Sequence, residues 1–588
     1  MAATATIAAG GGVSKRVDPA SFRIDSFQKA VMDSLVTAYK SCEKDFTSIN
    51  DFLQFMSSDK SNANGPFPNQ DLDHTLSNYF ISSSHNTYLT GHQLYGKANV
   101  NGYKNVLLRG CRCVEIDVWD GEEDSSSESS SGEEKAPPKP VDPSGKPSRW
   151  TLGPPRVEPV VLHGYTATKD ISFRSVCEAI RENSFVTSSL PVIVSLEVHT
   201  CPEQQKLMVE IMNECFSGMM VDVDNASDAA LPSPNELKGK ILIKVKYTPP
   251  QAVAAAAPVM SVDGQAPLSK VTSSGSSSAG EQSDAVDTSP QPKPDKIIDL
   301  LSRLGVYMRS YHFKNFDQPE ASVPTHVFSL SEGTLMEVHK KNPKGLFDHN
   351  KQYLMRAYPK GTRISSSNLD PAAFWRRGVQ MVALNWQKID EGMMLNEGMF
   401  AQSGGWALKP PMYRSSSTCY PREGTDYSST FNIEVLAGQN LEPPEDIDPA
   451  DFKPYLKCEL HLEIPGNWED LAPGKEKDGV FKAKIKASKS ANPDFKRQIM
   501  KFDTLPRIVP ELGFVRFKLM HDKFVNDPLA GWTCIRLDRL QPGYRFIHLF
   551  NEKGVQTKGV ILAQFNFDWK VRGQDSSTSK SETTLPLR

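Results

Sequence analysis

The sequence predicts a multidomain protein of the α/β plus all-β class. We expect a (β/α)8 barrel of the TIM type, split into two halves by a linker, with an antiparallel β-sandwich after it and a small helical lobe before it. Near-continuously apolar runs alternate with helical patterns over about 300 residues, as in a parallel sheet buried on both faces. The GxGxxG and GxxxxGK[ST] phosphate loops that often accompany a doubly wound sheet are missing. After about Ser428, alternating strands with few helices between them indicate the sandwich.

The individual elements follow from apolar runs and capping residues. Ser172, Pro202 and Ser331 are placed to begin helices. The barrel strands that we predict are Phe80–Ser82, Cys113–Asp117, Val160–His163, Val192–Glu197, Ile241–Val245, Leu354–Tyr358 and Val379–Asn385. The sandwich strands that we predict are Thr430–Leu436, Tyr455–Ile464, Phe481–Ala487, Val515–His521 and Val560–Asp568.

Low-complexity stretches divide the chain into domains. An acidic, Ser-rich and then Pro-rich insertion and a linker of Ala, Ser, Pro and Gly have too few apolar residues to offset the entropy of ordering them. We therefore predict a disordered N-terminus (1–24), a helical lobe (25–75), the first barrel half (76–248) with a disordered insertion (121–155), a disordered linker (249–295), the second barrel half (296–412), a connector (413–427), the sandwich (428–572) and a disordered tail (573–588).

Composition excludes several classes of protein. The 588 residues carry 67 basic and 70 acidic side chains, a net charge of −3, which gives no reason to expect nucleic-acid binding. No stretch approaches the roughly 20 apolar residues of a transmembrane helix, and no signal peptide is evident. Nine cysteines without a spaced framework suit a reducing compartment. We expect a cytoplasmic protein and a monomer.

Polar residues follow or end most of the predicted barrel strands. Because the carboxyl ends of parallel strands meet on one face of a barrel, we expect these side chains to share a pocket. Three carboxylates and an amide carbonyl suit Ca²⁺ better than Zn²⁺, and two histidines could stabilise charge and act as general acid. Lysines and an arginine would anchor phosphate, so the pattern indicates metal-assisted phosphoryl transfer. The residues concerned are His85, Asn86, Glu115, Asp117, His163, Glu197, Lys244, Lys246 and Arg356. The alternative is a set of structural histidines and ion-paired carboxylates.

Several segments resemble eukaryotic phosphoinositide-specific phospholipase C. Ser82–Leu89 (SSSHNTYL), Gly110–Gly121 (GCRCVEIDVWDG), His163–Thr166, Ser195–Glu197 and Leu237–Lys244 resemble the X half of its barrel. Arg356–Pro359 and Gln380–Gln387 (QMVALNWQ) resemble the Y half, and the C-terminal sandwich resembles the family's C2 domain. The resemblance covers roughly 25–570 and is closest to short delta-type enzymes of fungi and plants that lack a pleckstrin domain.

The resemblance implies roles for individual residues. Asn86, Glu115, Asp117 and Glu197 match the ligands of a catalytic Ca²⁺. Glu115 or Glu197 would be the base for the inositol 2-hydroxyl, His85 would stabilise the transition state and His163 would be the general acid. The positions that hold the inositol ring and its phosphates are Lys244, Lys246, Ser329, Arg356 and Tyr358.

The sequence also departs from the family pattern. Leu94, Tyr165 and Met336 occupy positions of the ridge that inserts into membranes, but Ala167 and Thr362 stand where large aromatic residues are common, which predicts weaker insertion.

Two expected calcium sites outside the barrel are also altered. In the C2 loops, Asp522 and Asp527 remain, but Phe524 and Lys453 replace acidic ligands, which predicts poor Ca²⁺ binding. The helical lobe resembles a remnant of EF-hands, with Lys60 where the first Ca²⁺ ligand is expected. We expect the lobe to pack against the barrel.

The resemblance implies a Ca²⁺-dependent enzyme that hydrolyses phosphatidylinositol 4,5-bisphosphate to diacylglycerol and inositol 1,4,5-trisphosphate at anionic membranes. Its location would be peripheral at the membrane. A catalytically inactive phosphoinositide-binding scaffold is the alternative, and a metal-dependent nuclease on a similar barrel is a third reading.

Overall fold

The computed structural model describes residues 22–121, 157–164, 170–225, 230–247, 297–418, 427–463, 479–567 and 570–571. The segments predicted to be disordered lie almost wholly outside the described residues, as do Tyr165 and positions 419–426 of the predicted connector. In the described part of the chain, no helix is long and apolar enough to cross a membrane.

The N-terminal lobe consists of helices α1 (Lys29–Cys42) and α2 (Ile49–Ser57). The prediction that it packs against the barrel is wrong. Val31 of α1 and Phe52 of α2 are buried in a cluster with Phe546 and other apolar residues of the sandwich. The outer side of the sandwich is apolar here, so the lobe covers the sandwich instead.

The segment after α2 continues along the sandwich. Asn62 and Asn64, which resemble part of an EF-hand loop, form backbone bridges with Phe546 and Leu540. The Asn62 side chain accepts a hydrogen bond from the Asn64 N–H at 3.0 Å. These residues tie the chain to the sandwich, and the likeness to an EF-hand stays a prediction.

Eight parallel strands close into the predicted barrel, each hydrogen-bonded to the next and the last to the first. Most of their residues are buried, because the strands have the barrel interior on one face and helices on the other. The strands are β1 (Tyr79–Ser84), β2 (Cys113–Trp119), β3 (Val192–His199), β4 (Ile241–Lys246), β5 (Arg309–Tyr311), β6 (His326–Ser331), β7 (Leu354–Tyr358) and β8 (Met381–Leu384).

One predicted barrel strand is wrong. Of Val160–His163, only Val160–Val161 is a strand, and it pairs antiparallel with the end of β2, outside the barrel. The barrel includes β5 and β6 instead. β5 is only three residues long and contains Arg309, so no apolar run marks it in the sequence.

Helices surround the barrel. The described ones are α3 (Asn101–Leu108), α4 (Phe173–Asn183), α5 (Pro202–Cys215), α6 (Asp299–Arg303), α7 (Glu332–Lys341), α8 (Pro343–Gln352), α9 (Pro371–Trp375) and α10 (Glu391–Phe400). Ser331 caps α7 by accepting a hydrogen bond from the Thr334 N–H, and Pro202 begins α5, as predicted. Short strands lie outside the closed barrel: Leu89–Thr90 pairs with Lys97–Ala98, Ile171–Ser172 with Val160–Val161, and Trp406–Leu408 with β1.

The predicted antiparallel sandwich is confirmed. One sheet has the strand order Val480–Lys484, Pro454–His461, Phe514–His521 and Leu529–Arg536, and the other has the order Gly543–Phe550, Gln556–Phe567, Tyr427–Gln439 and Asp494–Ile508. One pairing between Trp532 and Phe550 links the two sheets. Phe517 and Phe565 pack across the core with ring centres 6.0 Å apart. The strands are β9 (Tyr427–Gln439), β10 (Pro454–His461), β11 (Val480–Lys484), β12 (Asp494–Ile508), β13 (Phe514–His521), β14 (Leu529–Arg536), β15 (Gly543–Phe550) and β16 (Gln556–Phe567), and Lys570–Val571 extends the sheet beside β9.

Candidate active site

The predicted site residues of the described chain gather at the carboxyl end of the barrel. Asp117 lies opposite Glu197 in the β2–β3 ladder, and Ser329 lies opposite Arg356 in the β6–β7 ladder. His163 follows the short strand that pairs with the end of β2. The others at this end are His85 and Asn86 after β1, Glu115 in β2, Lys244 and Lys246 in β4 and Tyr358 in β7.

Glu115 is a buried carboxylate that is held ionised. Its Oε1 accepts a 2.6 Å hydrogen bond from the Arg356 guanidinium, and its Oε2 accepts one of 2.9 Å from the Asn86 N–H. Burial alone would raise the pKa of Glu115, but Arg356, His85 and the Asn86 N–H together lower it. The group is therefore a negatively charged oxygen donor at neutral pH.

The electrostatic environment of Asp117 has the opposite effect on its pKa from that of Glu115. Its Oδ2 accepts a 2.6 Å hydrogen bond from the Tyr88 hydroxyl, whereas its buried Oδ1 has no hydrogen-bond partner in the described structure. Burial, and then the neighbouring carboxylates Glu197 and Glu115, raise the pKa of Asp117 well above its usual value. A bound cation would relieve this repulsion and satisfy the orphaned oxygen. The donor set therefore fits a hard cation such as Ca²⁺.

A buried amide network orients Asn86 and His85. The Asn86 Nδ2 donates to Gln93 Oε1 at 2.9 Å, which leaves the Asn86 carbonyl oxygen as the atom available to a cation. Gln93 Nε2 donates to Asn385 Oδ1 at 3.2 Å, and His85 Nδ1 lies 3.0 Å from the same oxygen. Since Asn385 Oδ1 only accepts, His85 carries its proton on Nδ1 and its Nε2 is left for the pocket.

Both candidate catalytic histidines have lowered pKa values. Burial lowers the pKa of His85, with Glu115 opposing and Arg356 reinforcing that effect. Burial and then the charge of His85 lower the pKa of His163.

Trp119 supports the segment that carries His163. A Cβ atom on Gly164 would lie 1.9 Å from the Trp119 ring, so the backbone after His163 runs directly against the indole. The Trp119 ring also stacks on His199, with 4.2 Å between the ring centres. The position after His163 therefore requires glycine.

Cationic groups form one wall of the site. Lys244 is buried with its Nζ 3.3 Å from Ser195 Oγ, and burial and then Arg356 lower its pKa. The Arg356 guanidinium lies 5.6 Å from the centre of the Tyr358 ring. Ser329 Oγ is buried without a hydrogen-bond partner in the described structure. Lys246 is exposed at the end of β4.

Apolar side chains are exposed at the rim. Leu94 and Met336, two of the predicted ridge residues, are 36% and 37% exposed. Sequence reasoning missed Tyr95 and Ile364, which are 75% and 46% exposed. The Gln93 N–H donates to the Ile364 carbonyl at 2.9 Å, so the two loops are joined.

Four residues that support the site were also not assigned roles from the sequence. They are Tyr88, Gln93, Trp119 and Asn385. Tyr88, Trp119 and Asn385 lie within the segments that resemble the phospholipase family, and this was the available signal. Gln93 lies outside them and gave none.

We predicted poor Ca²⁺ binding for the C2-like loop. One of its two aspartates is engaged in hydrogen bonds within the sandwich. Asp527 Oδ2 accepts a 2.6 Å hydrogen bond from the Tyr455 hydroxyl, and its Oδ1 accepts one of 2.9 Å from the Lys523 N–H. These bonds lower the pKa of Asp527, and Phe524 between them is fully exposed. Poor Ca²⁺ binding stays a prediction.

A second acidic cluster lies between the barrel and the sandwich. Ligand atoms of Glu391, Glu459 and His461 lie within 4.8 Å of one another. Arg516, however, is ion-paired with both carboxylates. A cation in this position argues against a metal, and the cluster is an interdomain ion-pair network.

Three family models match the chain. They are phosphatidylinositol-specific phospholipase C, X domain, over residues 72–247, the Y domain of the same family over 301–412, and the C2 domain over 429–551. The chain therefore belongs to the phosphatidylinositol-specific phospholipase C family.

Named relatives agree with this assignment. The chain is 34% identical over 534 residues to 1-phosphatidylinositol 4,5-bisphosphate phosphodiesterase 1 of Candida albicans, covering 82% of this chain and 46% of that protein. It is 31% identical over 515 residues to the human delta-1 phosphodiesterase, covering 84% of this chain and 60% of that protein. It is also 31% identical over 498 residues to human inactive phospholipase C-like protein 2, covering 82% and 39%. The chain thus spans about half the length of these relatives.

Solved structures show the same fold. The crystal structure of S. officinalis PLC21 has a TM-score of 0.65 and 26% identity, over 96% of this chain and 65% of that one. The L. pealei PLC21 structure has a TM-score of 0.66 and 25% identity, over 96% and 66%.

Proposed function

We propose that this protein is a Ca²⁺-dependent phosphoinositide phospholipase C. Its substrate would be phosphatidylinositol 4,5-bisphosphate, and its products diacylglycerol and inositol 1,4,5-trisphosphate for intracellular signalling. The observation that carries the proposal is the orphaned oxygen of Asp117 among other carboxylates, beside a buried lysine and arginine. This arrangement suits a cation and a phosphate side by side, and relatives carry the matching phosphodiesterase name.

The oxygen donors Asn86, Glu115, Asp117 and Glu197 would hold the Ca²⁺. When bound, the ion supplies a lowered pKa for the inositol 2-hydroxyl and neutralises charge on the phosphate. Glu115 or Glu197 then takes the hydroxyl proton. The 2-oxygen forms a bond to phosphorus, and the bond from phosphorus to the diacylglycerol oxygen breaks.

The two histidines have different roles: one stabilises charge on the phosphate and the other transfers protons. His85 points its Nε2 toward the reacting phosphate and stabilises its added charge. His163 donates a proton to the departing diacylglycerol oxygen, and then takes one from the water that opens the cyclic phosphodiester. The resting pKa values of both imidazoles are low, and an arriving anionic phosphate would raise them toward the working range.

The cationic wall would bind the head group. Lys244, Lys246, Ser329, Arg356 and Tyr358 are the residues that we assign to the inositol ring and its phosphates. The ridge of Leu94, Tyr165 and Met336 would dip into the bilayer. Tyr95 and Ile364 add apolar area there, which offsets the small Ala167 and Thr362. The protein would act from the cytoplasm, peripherally on anionic membranes.

The test is release of inositol trisphosphate from vesicles that contain labelled phosphatidylinositol 4,5-bisphosphate, across a Ca²⁺ titration. We expect chelation to abolish release and His163→Ala to lower the rate about 10²-fold to 10⁴-fold. His312→Ala, a histidine exposed on the surface, is the matched control and should retain full activity.

The alternative function is an inactive phosphoinositide-binding scaffold, which the similarity to an inactive phospholipase C-like protein keeps in view. Both histidines and all four expected metal ligands are present here, which favours the enzyme. Vesicle binding without turnover at any Ca²⁺ concentration would establish the scaffold instead.

A further inference from the structure

One outer face of the sandwich is lined with basic side chains. In β10, Leu456, Cys458 and Leu460 are buried in the sandwich core, so the alternate residues Lys457 and Glu459 lie on the opposite face. This face continues onto β11 and β13, which pair with β10 on either side.

Three lysines lie side by side across these strands. Lys484 of β11 lies opposite Lys457 of β10, which lies opposite Lys518 of β13. Like charges directly opposite each other destabilise a sheet, so folding alone does not favour this row. In the next row, Lys482 lies opposite Glu459. We call the four lysines of these rows, Lys457, Lys482, Lys484 and Lys518, the lysine face.

The carboxylates around these lysines do not balance their charge. Glu459 is ion-paired with Lys457 at 3.1 Å and with Lys518 at 2.7 Å. It also pairs with Arg516, which lies opposite it in β13 and has a second partner in Glu391 of α10. Burial alone would raise the pKa of Glu459, but the three cations lower it to about 2. The two rows and Glu391 carry five cations and two carboxylates, so the face has an excess of positive charge.

An apolar loop tip adjoins the lysine face. The Nζ of Lys484 lies 5.3 Å from the centre of the Tyr455 ring, and the Tyr455 hydroxyl donates to Asp527 Oδ2 at 2.6 Å. Asp527 closes the loop 521–527, in which Phe524 is fully exposed and Val525 is 65% exposed. Exposed apolar side chains beside basic ones are typical of surfaces that lie on a membrane.

The charges next to the loop tip balance each other. Asp451 and Asp522 are exposed carboxylates, and Lys453 and Lys523 are exposed lysines close to them in the chain. The Asp522 N–H donates to the Lys453 carbonyl at 2.9 Å, which joins the two segments. The attraction for an anionic surface therefore comes from the lysine face, and the tip supplies apolar area.

We propose that the lysine face and the tip formed by Phe524 and Val525 dock on an anionic lipid bilayer without Ca²⁺. The lysines bind the phosphates and carboxylates of the head groups, and the two apolar side chains enter the boundary of the acyl chains. Because the protein itself supplies the positive charge, no ion is needed between protein and lipid. The proposal rests on the proposed function for the choice of a membrane as partner, and it adds a contact separate from the ridge at the barrel mouth.

Binding to vesicles in the presence of a chelator tests this surface apart from catalysis. Cosedimentation is measured at about 0.1 M salt with phosphatidylcholine vesicles that contain phosphatidylserine and with vesicles that lack it. We expect the wild type to bind only the vesicles with phosphatidylserine. These lipids carry no inositol, so a failure of the proposed enzyme activity would leave this result unchanged.

Variants locate the contact. Lys482→Gln with Lys484→Gln removes two exposed charges and should weaken binding about 10-fold to 30-fold, because each lysine near an anionic surface contributes about 5-fold. This difference should vanish at about 1 M salt, where charges are screened. Lys501→Gln with Lys558→Gln, at exposed positions of the other sheet, is the matched control and should bind as the wild type does. Phe524→Ser should weaken binding about 10-fold, because apolar area is lost from the contact.

Four results would overturn the proposal. The first is no binding of the wild type to phosphatidylserine vesicles in chelator. The second is equal binding by the wild type and the Lys482→Gln, Lys484→Gln variant, which would leave the ridge as the membrane contact. The third is an equal loss in the control variant, which would indicate an effect of net charge alone. The fourth is wild-type vesicle binding by Phe524→Ser together with binding of free inositol hexakisphosphate that the lysine variant loses, which would assign the face to a soluble polyanion.

Discussion

At the scale of single residues, Gln93 connects an expected metal ligand, Asn86, with an expected catalytic histidine, His85. Its carbonyl oxygen holds the Asn86 amide, and its nitrogen donates to Asn385, which fixes the His85 ring. Its nitrogen also donates to Ser366 Oγ at 2.8 Å. One buried amide thus sets both an expected metal ligand and an expected catalytic histidine.

We predict that Gln93→Leu lowers phospholipase activity about 10-fold to 100-fold and raises the Ca²⁺ concentration needed for half-maximal rate. The physical reason is that Asn86 loses the bond that presents its oxygen. Gln93→Glu keeps an acceptor for Asn86 and should recover much of the Ca²⁺ response. Gln54→Leu, at an exposed position of α2, is the control. An unchanged Ca²⁺ dependence in Gln93→Leu would contradict the role.

At the scale of elements, the end of β2 positions the segment that carries His163. Trp119 is the last residue of β2, and its ring fills the space where a side chain on Gly164 would stand. His163 therefore depends on a strand end and a glycine rather than on a barrel strand of its own.

We predict that Gly164→Ala lowers the turnover rate about 100-fold, because the added methyl group must push the His163 backbone off the indole. Stability should change little, since the segment lies at the surface of the barrel mouth. Gly361→Ala is a matched control, since a Cβ there meets nothing within 4 Å. Trp119→Ala in the Gly164→Ala background should restore part of the rate. If Gly164→Ala keeps the wild-type turnover rate and adding Trp119→Ala does not change it, the contact does not position His163.

The same elements show what sequence can predict. Strands β2 and β3 were predictable because each has an apolar run that ends in carboxylates. Strand β5 was not, because Arg309–Tyr311 is short and acquires its place only from its neighbours in the closed barrel. The lysines and carboxylates of the candidate site could each be proposed individually from the sequence. The Arg356–Glu115 pair joins residues far apart in the sequence, so it required the fold.

At the scale of the whole molecule, charged groups join the domains. The Arg376 side chain reaches from the end of α9 to the His461 carbonyl at 3.1 Å, and Arg516 pairs with Glu391 of α10. His461 is buried in this network. Burial, and then the charge of Arg516, lower its pKa to about 3.

This lowered pKa predicts acid sensitivity of the domain interface. Because the pKa of His461 is about 3 in the fold and 6.5 ordinarily, its contribution is complete above pH 6.5 and is lost as the pH falls toward 3. Between pH 7 and pH 5 the free energy of unfolding should fall by about 2 kcal/mol less in His461→Gln than in the wild type. Thermal unfolding at both pH values measures this. His312→Gln should behave as the wild type, and parallel pH dependence in His461→Gln would contradict the assignment.

Arg539 makes the three parts of the molecule one unit. It is 1% exposed, and its guanidinium donates to the Gly65 carbonyl after the lobe at 2.7 Å and to the Ala401 carbonyl after α10 at 2.7 Å. It bonds also to Gln402 Oε1 at 3.0 Å. Burial lowers the pKa of Arg539 to about 9, yet the guanidinium still carries its charge at neutral pH.

We predict that Arg539→Met destabilises the protein by about 2–4 kcal/mol, because methionine fills the space but leaves buried carbonyl groups without donors. Calorimetry should show a lower unfolding temperature and a transition that separates into barrel and sandwich steps, since the lost bonds are those between domains. Arg303→Met, at an exposed position on α6, should leave the transition unchanged. If Arg539→Met instead unfolds in one step at the wild-type temperature, the apolar contact between Trp375 of the barrel and Phe514 of the sandwich holds the two domains together without it.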